Sequence, residues 1–236
     1  MLYAPFYKCW AISEDAGEIA RDFFGIDERK IALRSLGTDV SMFKPWYDKD
    51  LNERDKFRQQ LGFNKNDIVC IYTGRNQEGK DPLILARAID ALVKQGQPYR
   101  AIFIGDGAED YTNLMRQNQG CSICSFVPVD QLPLYYQAAD IGVWPKQEST
   151  SQMDAAACGL PLVLSNRVRA YERIKDNAFV YEENDIADLT VQLLKLADPL
   201  LRRKMGEVGA KRMREQCSWQ KIAQEAIKEY EEALGK

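Results

Sequence analysis

Arg75 and Lys80 lie in the stretch YTGRNQEGKDPL, residues 72–83, directly after the apolar run Ile68-Val69-Cys70-Ile71. Cations at the end of a buried segment can hold phosphate oxygens. A guanidinium offers a planar fork of donors, and an ammonium offers a compact charge. Gly74, four further residues and Gly79-Lys80 come within one residue of the phosphate-binding loop of nucleotide hydrolases. That loop needs a Ser or Thr hydroxyl next, to coordinate Mg²⁺, and Asp81 stands there instead. Pro82 suits the first position of a helix, so Asp81 reads as its N-cap. A damaged P-loop, a solvated basic turn and a different phosphate grip by Arg75 and Lys80 are the three readings at this point.

A second stretch, WPKQESTSQMDAAACGLPLV (144–163), adds complementary chemistry. A strand ends at Trp144-Pro145, and Ser149-Thr150-Ser151 lead into an Ala-rich helix. The first turn, Thr150 to Gln152, offers backbone N–H groups, hydroxyls and the positive helix end, which together favour an anion. Ordinary capping by Ser149 or Thr150 is the competing reading. Asp154 falls one turn inside the helix and Glu148 just before it, so two carboxylates flank the anion site. Phosphates for the N–H groups and hydroxyls for the carboxylates suit a sugar nucleotide. A third stretch, Gly105-Asp106-Gly107, keeps the first two glycines of a dinucleotide fingerprint but has Asp110 at the third. It reads as a tight turn that can also admit a ligand to the backbone.

Composition narrows the classes. The net charge of −3 gives no global basic field to recruit nucleic acid. No run approaches the ~18 apolar residues of a membrane span, and MLYAPFYKCW lacks the layout of a signal peptide. The six cysteines are scattered, with Cys70, Cys158 and Cys9 in apolar surroundings. They read as reduced, buried thiols, and the location as cytoplasmic. Cys121-x-x-Cys124 has no second ligand pair, and the chain has no His, so neither a structural zinc site nor a His-dependent nucleophile is expected. No metal and no cofactor is called for.

These residues sit on short apolar runs alternating with helical patterns. Strands are expected at Ile68–Tyr72, Arg100–Ile104, Ile123–Val127, Ile141–Trp144, Leu162–Ser165 and Phe179–Tyr181. Helices are expected at Pro82–Lys94, Tyr111–Gln117, from near Asp130, at Ser151–Cys158, Asp185–Ala197, Pro199–Cys217 and Trp219–Leu234. On the last, Trp219, Ile222, Ala226, Ile227 and Tyr230 approximate one stripe that should pack, with part of it left exposed for contact. Such alternation implies an α/β fold with a doubly wound parallel sheet. Ligands of that fold bind beyond the carboxyl ends of the strands, at the turns after Tyr72, Ile104, Val127, Trp144 and Leu164.

Read together and in order, the motifs resemble the carboxyl-terminal, donor-binding half of GT-B glycosyltransferases, of the retaining family 4 (group 1) type. AISEDAGEIARDFFGIDERKIALRSLGTDVSMFKP resembles the bridge into that half, with GTD matching an Asn-Gly-Val-Asp turn. YTGRNQEGKDPLILARAI resembles the "GR…K" phosphate motif, IFIGDGAE the "GDG" turn, and SFVPVDQLPLYYQAADIGVWP the segment before the donor loop. DAAACGLPLV is similar to EAMACGLPVV, and CSWQKIAQEAIKEY resembles the closing "FSW" helix.

The resemblance implies a Rossmann-like half of a GT-B fold that binds a nucleotide-diphospho-sugar, with UDP or GDP as nucleotide. It makes Arg75 and Lys80 the cations on the donor diphosphate, Asp154 the ribose partner and Glu148 the sugar partner, and it lays Ser125 to Val127 against the base. Transfer would proceed with retention and without a dedicated nucleophile. Two departures stand out. The family's donor loop has two glutamates with seven residues between them, whereas five separate Glu148 from Asp154. A GT-B enzyme also needs an amino-terminal acceptor domain, and here only residues 1–44 resemble its last piece and linker, ahead of the nucleotide-sugar-binding domain at 45–236. The expected partner is therefore that amino-terminal domain, in cis or trans, and any peripheral membrane association is assigned to it. A non-catalytic nucleotide- or partner-binding module that kept the fold is the alternative function, and a P-loop NTPase a weaker one.

Overall fold

The computed structural model describes residues 6–48, 51–146, 148–170 and 175–235. The first five residues of the 1–44 segment and Gln147 of the donor loop lie outside the described residues.

The body is a parallel sheet built from β3 (Ile68–Thr73), β4 (Tyr99–Ile104), β5 (Cys121–Cys124), β6 (Ile141–Trp144), β7 (Leu162–Ser165) and β8 (Ala178–Tyr181). Their order across the sheet is β5-β4-β3-β6-β7-β8, with every neighbouring pair parallel. Strands covered on both faces need continuous apolar sequence, and β3, β6 and β7 are buried at every residue. The order reverses between β3 and β6, which opens a crevice there at the carboxyl edge, as in doubly wound dinucleotide-binding folds.

The connecting helices are α3 (Pro82–Lys94), α4 (Glu109–Arg116), α5 (Leu132–Ala138), α6 (Thr150–Ala157), α7 (Ile186–Lys195), α8 (Pro199–Gln216) and α9 (Trp219–Ala233). α3 packs with α4 and α7, and α6 with α8. The doubly wound, Rossmann-like α/β fold is as expected.

Local expectations fared unevenly. β5 begins two residues earlier than expected and stops at Cys124, so Ser125 to Val127 form a loop rather than strand. α5 starts at Leu132, and Asp130 sits in the preceding turn without capping it. The α9 stripe is not packed along its length: Ile222 and Ala226 are half-buried, but Trp219, Ile227 and Tyr230 are at least half exposed.

Ahead of this body lies a small parallel unit in which β1 (Cys9–Ala11) and β2 (Ile31–Leu33) pair across the crossover helix α1 (Glu14–Asp22). A further helix, α2 (Leu51–Gln60), is pinned to the sheet by Arg54 and Arg58, which reach Asp140 at 2.8 and 3.0 Å. The small unit leans on α9. Arg34 bonds Glu225 and Glu229, Trp10 Nε1 donates to Glu229 at 2.7 Å, and the Trp10 and Tyr230 rings meet edge-on at 5.2 Å.

Candidate functional site

The turns after β3, β4, β5 and β6 converge on one cavity of about 580 Å³ at the switch point of the sheet. Its walls include Arg75 after β3, Gly105 and Asp106 after β4, Phe126 and Val127 after β5, and Ser149 and Ser151 before and within α6. Residues from four separate stretches thus meet because parallel strands deliver all their carboxyl ends to one edge.

Backbone contacts hold the turns in register. Gly74 N–H donates to Ile104 O at 3.0 Å, and Asn76 N–H to Asp106 O at 3.0 Å. Asn76 also donates from its side chain to Gly105 O at 2.9 Å. The glycines of the second turn serve this approach. A Cβ on Gly105 would stand 2.1 Å from Gly74 O, and one on Gly107 2.0 Å from Asn76 O. Asp106 then accepts the Phe126 N–H at 3.2 Å, which places the 71% exposed Phe126 ring at the cavity mouth. Sequence reading missed Asn76, whose only signal is its place directly after Arg75.

The start of α6 is largely self-satisfied. Ser149 is the N-cap and accepts the Ser151 N–H, its hydroxyl meets that of Ser151 at 2.6 Å, and Ser151 Oγ reaches Thr73 O at 3.4 Å. Gln152 N–H goes to Ser149 O at 3.2 Å. The capping reading is therefore realised, and an anion here must share or displace these bonds. Thr150 opens the helix and is exposed; Gln152 is buried.

The other expected residues stand around the cavity rather than in its walls. Lys80 follows in the same loop as Arg75, and neither makes an ion pair with any described residue. Asp81 occupies the N-cap position of α3 without capping it. Its backbone is left-handed (φ 47°), and its carboxylate accepts the Tyr111 hydroxyl at 3.0 Å and pairs with Lys146 Nζ at 3.3 Å. This corrects the capping role and brings in Lys146, a cation that sequence reading passed over.

Glu148 Oε1 accepts the N–H groups of Arg169 and Ala170, both at 2.6 Å, and so ties the donor loop to the loop after β7. Asp154 accepts the hydroxyl of Thr38 at 2.6 Å. Burial pushes the Asp154 carboxyl up to about 6, against the opposing effect of the Thr38 bond. Thr38 is itself buried and bonded to the α8–α9 junction, through its N–H to Cys217 O and its O to Trp219 N–H.

The site offers a mainly apolar crevice with Arg75 and a few hydroxyls in its walls and exposed aromatic surface at one end, which suits an anion joined to a ring. Among the described residues, no cluster of three or more His, Cys, Asp or Glu could hold a metal, and no helix is long and apolar enough to cross a membrane. Burial pushes the Cys121 thiol up to about 12, so it is inert at neutral pH.

The chain is 23% identical to spore coat protein SA of Bacillus subtilis over 93% of its own length and 63% of that protein. It is 25% identical to a D-inositol 3-phosphate glycosyltransferase of Thermomonospora curvata over 92% of its length and 55% of that protein. It thus spans less than two thirds of either relative. In fold it is similar to Anabaena Alr3699/HepE, solved in complex with UDP-glucose, with a TM-score of 0.79 at 19% identity over 96% of this chain and 64% of that one. Residues 53–212 match the family model described as glycosyl transferases group 1, and the chain belongs to that family.

Proposed function

We propose that this chain is the donor-binding, carboxyl-terminal half of a retaining GT-B glycosyltransferase of the family 4 type, and that the cavity holds a nucleotide-diphospho-sugar. The observation that carries the reading is the meeting of Arg75, Asp106, Phe126 and Ser151 around one crevice at the switch point. The UDP-glucose complex of the Anabaena protein, whose fold is alike, supports a uridine nucleotide as donor. When a glycosyl–phosphate bond breaks, negative charge builds on the departing diphosphate. Fixed cations in a site sheltered from water stabilise that charge most. Arg75 and Lys80 are the charges available for it, with Phe126 and Val127 against the base and Asp154 within reach of the ribose hydroxyls by rearrangement of its Thr38 bond. Acceptor contacts, and any contact with a membrane, belong to an amino-terminal GT-B domain in cis or trans.

A second reading, a binding module without catalysis, is favoured by one observation: Glu148, the expected sugar partner, is engaged by the backbone of Arg169 and Ala170.

Calorimetric titration with UDP, GDP, ADP and UDP-glucose tests the proposal. Replacing Arg75 or Lys80 by Ala is expected to cost roughly 1.5–3 kcal/mol, the range of a hydrogen bond to a charged group, or about tenfold to hundredfold in affinity. A double variant that binds UDP-glucose as tightly as the unaltered chain would remove the phosphate assignment. Strict dependence on Mg²⁺, with hydrolysis of ATP, would revive the P-loop reading.

A further inference from the structure

A second large cavity, of about 430 Å³, lies at the opposite, amino-terminal edge of the sheet, beside the starts of β3 and β7. Five cations line it: Arg54 and Arg58 of α2, Lys65, and Arg202 and Arg203 of α8. Among the described residues two carboxylates, Asp67 and Asp140, line the cavity with them, and Arg203 is paired with Glu207 of its own helix, in a chain whose net charge is −3.

Both carboxylates are already committed. Asp140 accepts from Arg54, from Arg58 and from Val69 N–H at 2.8 Å. Burial works to raise its carboxyl, but the two guanidiniums outweigh burial and hold it below the usual carboxylate range. Asp67 accepts the Asn64 N–H at 2.8 Å and lies 3.9 Å from Arg100.

The cations are less fully matched. Lys65 makes no ion pair with a described residue, and Arg202 donates only to the carbonyls of Leu196 and Ala197. Arg58 is 2% exposed, and its Nε, enclosed by protein, has no acceptor among the described residues. A buried N–H without a partner is costly. Pro199, the first residue of the 18-residue helix α8, also lines the cavity, but that helix start is capped by Asp198, which accepts the Leu200 N–H at 2.9 Å. Lys65 and Arg202, neither paired with a described carboxylate, thus face one space beside the buried Arg54/Arg58–Asp140 cluster.

The geometry points to a second anion site, which takes a phosphate or diphosphate group and is separate from the nucleotide-sugar cavity. The aromatic wall is not a free stacking platform, because Trp46 already has the guanidiniums of Arg54 and Arg203 over its ring at 4.6 and 5.7 Å. Recognition therefore falls on the anion itself. The group can arrive on a small phosphorylated molecule or on an anionic lipid headgroup. The inference is independent of the glycosyltransferase mechanism.

The test uses the full chain with the donor cavity disabled by Arg75→Ala and Lys80→Ala. Pyrophosphate is titrated by calorimetry into this background, with and without Lys65→Gln and Arg202→Gln. Saturable binding that weakens at least tenfold on adding the second pair is the expected result. In parallel, vesicles of phosphatidylcholine with and without phosphatidic acid are sedimented with both proteins. Retention on phosphatidic acid vesicles that is lost with Lys65→Gln and Arg202→Gln identifies the headgroup as the source, whereas pyrophosphate binding without retention identifies a free molecule. Lys65→Gln/Arg202→Gln in the otherwise unaltered chain must keep its melting temperature, and the single Lys65→Glu substitution in an exposed loop, which must weaken binding too, serves should Arg202→Gln disturb the fold. Binding of neither probe, or binding unchanged by these substitutions, overturns the site.

Discussion

Asp154 is the residue at which pH should act. Its carboxyl rises from an ordinary 3.8 to about 6 because burial disfavours the charge. The folded state therefore holds this proton more tightly than the unfolded chain. Stability linked to Asp154 is present below about pH 4 and is lost as pH rises to about 6, then stays lost. Asp154→Asn removes the charge and keeps an acceptor for Thr38. Its gain in melting temperature over the unaltered chain should be small at pH 4 and larger at pH 8. An equal difference at both pH values would mean that ionisation of Asp154 does not bear on folding. Binding should show the opposite sign, since only the ionised carboxylate is a full acceptor for ribose hydroxyls. Affinity for UDP-glucose is expected to fall below about pH 6 and to be flatter in Asp154→Asn. UDP-glucose is the suitable probe because a terminal phosphate titrates near 6 itself. Two departures from the resembled motifs meet at this point. Thr38 stands where the turn has Val, and Asp154, one methylene short, where the helix has Glu; the added hydroxyl bonds the shortened carboxylate.

The strand-end turns and the start of α6 separate what sequence can reveal from what it cannot. Fully buried β3, β6 and β7 and the amphipathic α3 were legible because burial on both faces, or on one stripe, leaves an apolar run or a periodic signature. The three-residue strands β1 and β2 are too short to show a period, and α2, LNERDKFRQQ, carries little apolar residue to betray its buried side. Its anchor is instead the Arg54/Arg58–Asp140 cluster, between residues more than eighty apart in sequence. At the site, Arg75, Gly105 and Ser151 could be placed because parallel strands fix where their ends go. Side-chain partners could not. Glu148 reads as a free carboxylate ahead of a helix, yet it accepts two backbone N–H groups from a loop some twenty residues later. That contact predicts a role in holding the loop. Glu148→Ala should destabilise the chain by about 1.5–2 kcal/mol, the lower part of the range for charged hydrogen bonds at a half-buried site, and Glu148→Gln by less, since it keeps an acceptor. Urea denaturation measures both. Should Glu148→Ala leave stability intact and abolish UDP-glucose binding, the residue belongs on the ligand instead.

The β1–α1–β2 unit bears on what the whole molecule can do. Its two-stranded parallel sheet is smaller than such sheets normally are, because parallel strands are stable chiefly when helices cover both faces. Phe23, Phe24, Tyr7 and Leu33 are each more than half exposed on it. Apolar surface of this kind marks a place for contact, which supports the proposed amino-terminal domain as its neighbour. Thr38, on the segment that follows β2, bonds Asp154 of α6 and the α8–α9 junction, so it links that segment to the helix bordering the cavity. Under the proposed function, catalysis would depend on assembly. Rate acceleration requires donor and acceptor held in register, and a crevice open on one side leaves the reacting carbon wet. Residues 1–236 alone are expected to bind UDP-glucose but not to transfer sugar, with slow hydrolysis at most. A matching amino-terminal GT-B half, fused or added in trans, should restore transfer with retained configuration, read by NMR of the product anomer. In that assembly Thr38→Val should lower turnover and shift the pH profile, and Thr38→Ser should recover both, because the serine keeps the hydroxyl that Asp154 accepts from. Robust transfer by this chain alone would show that the cleft needs no second domain.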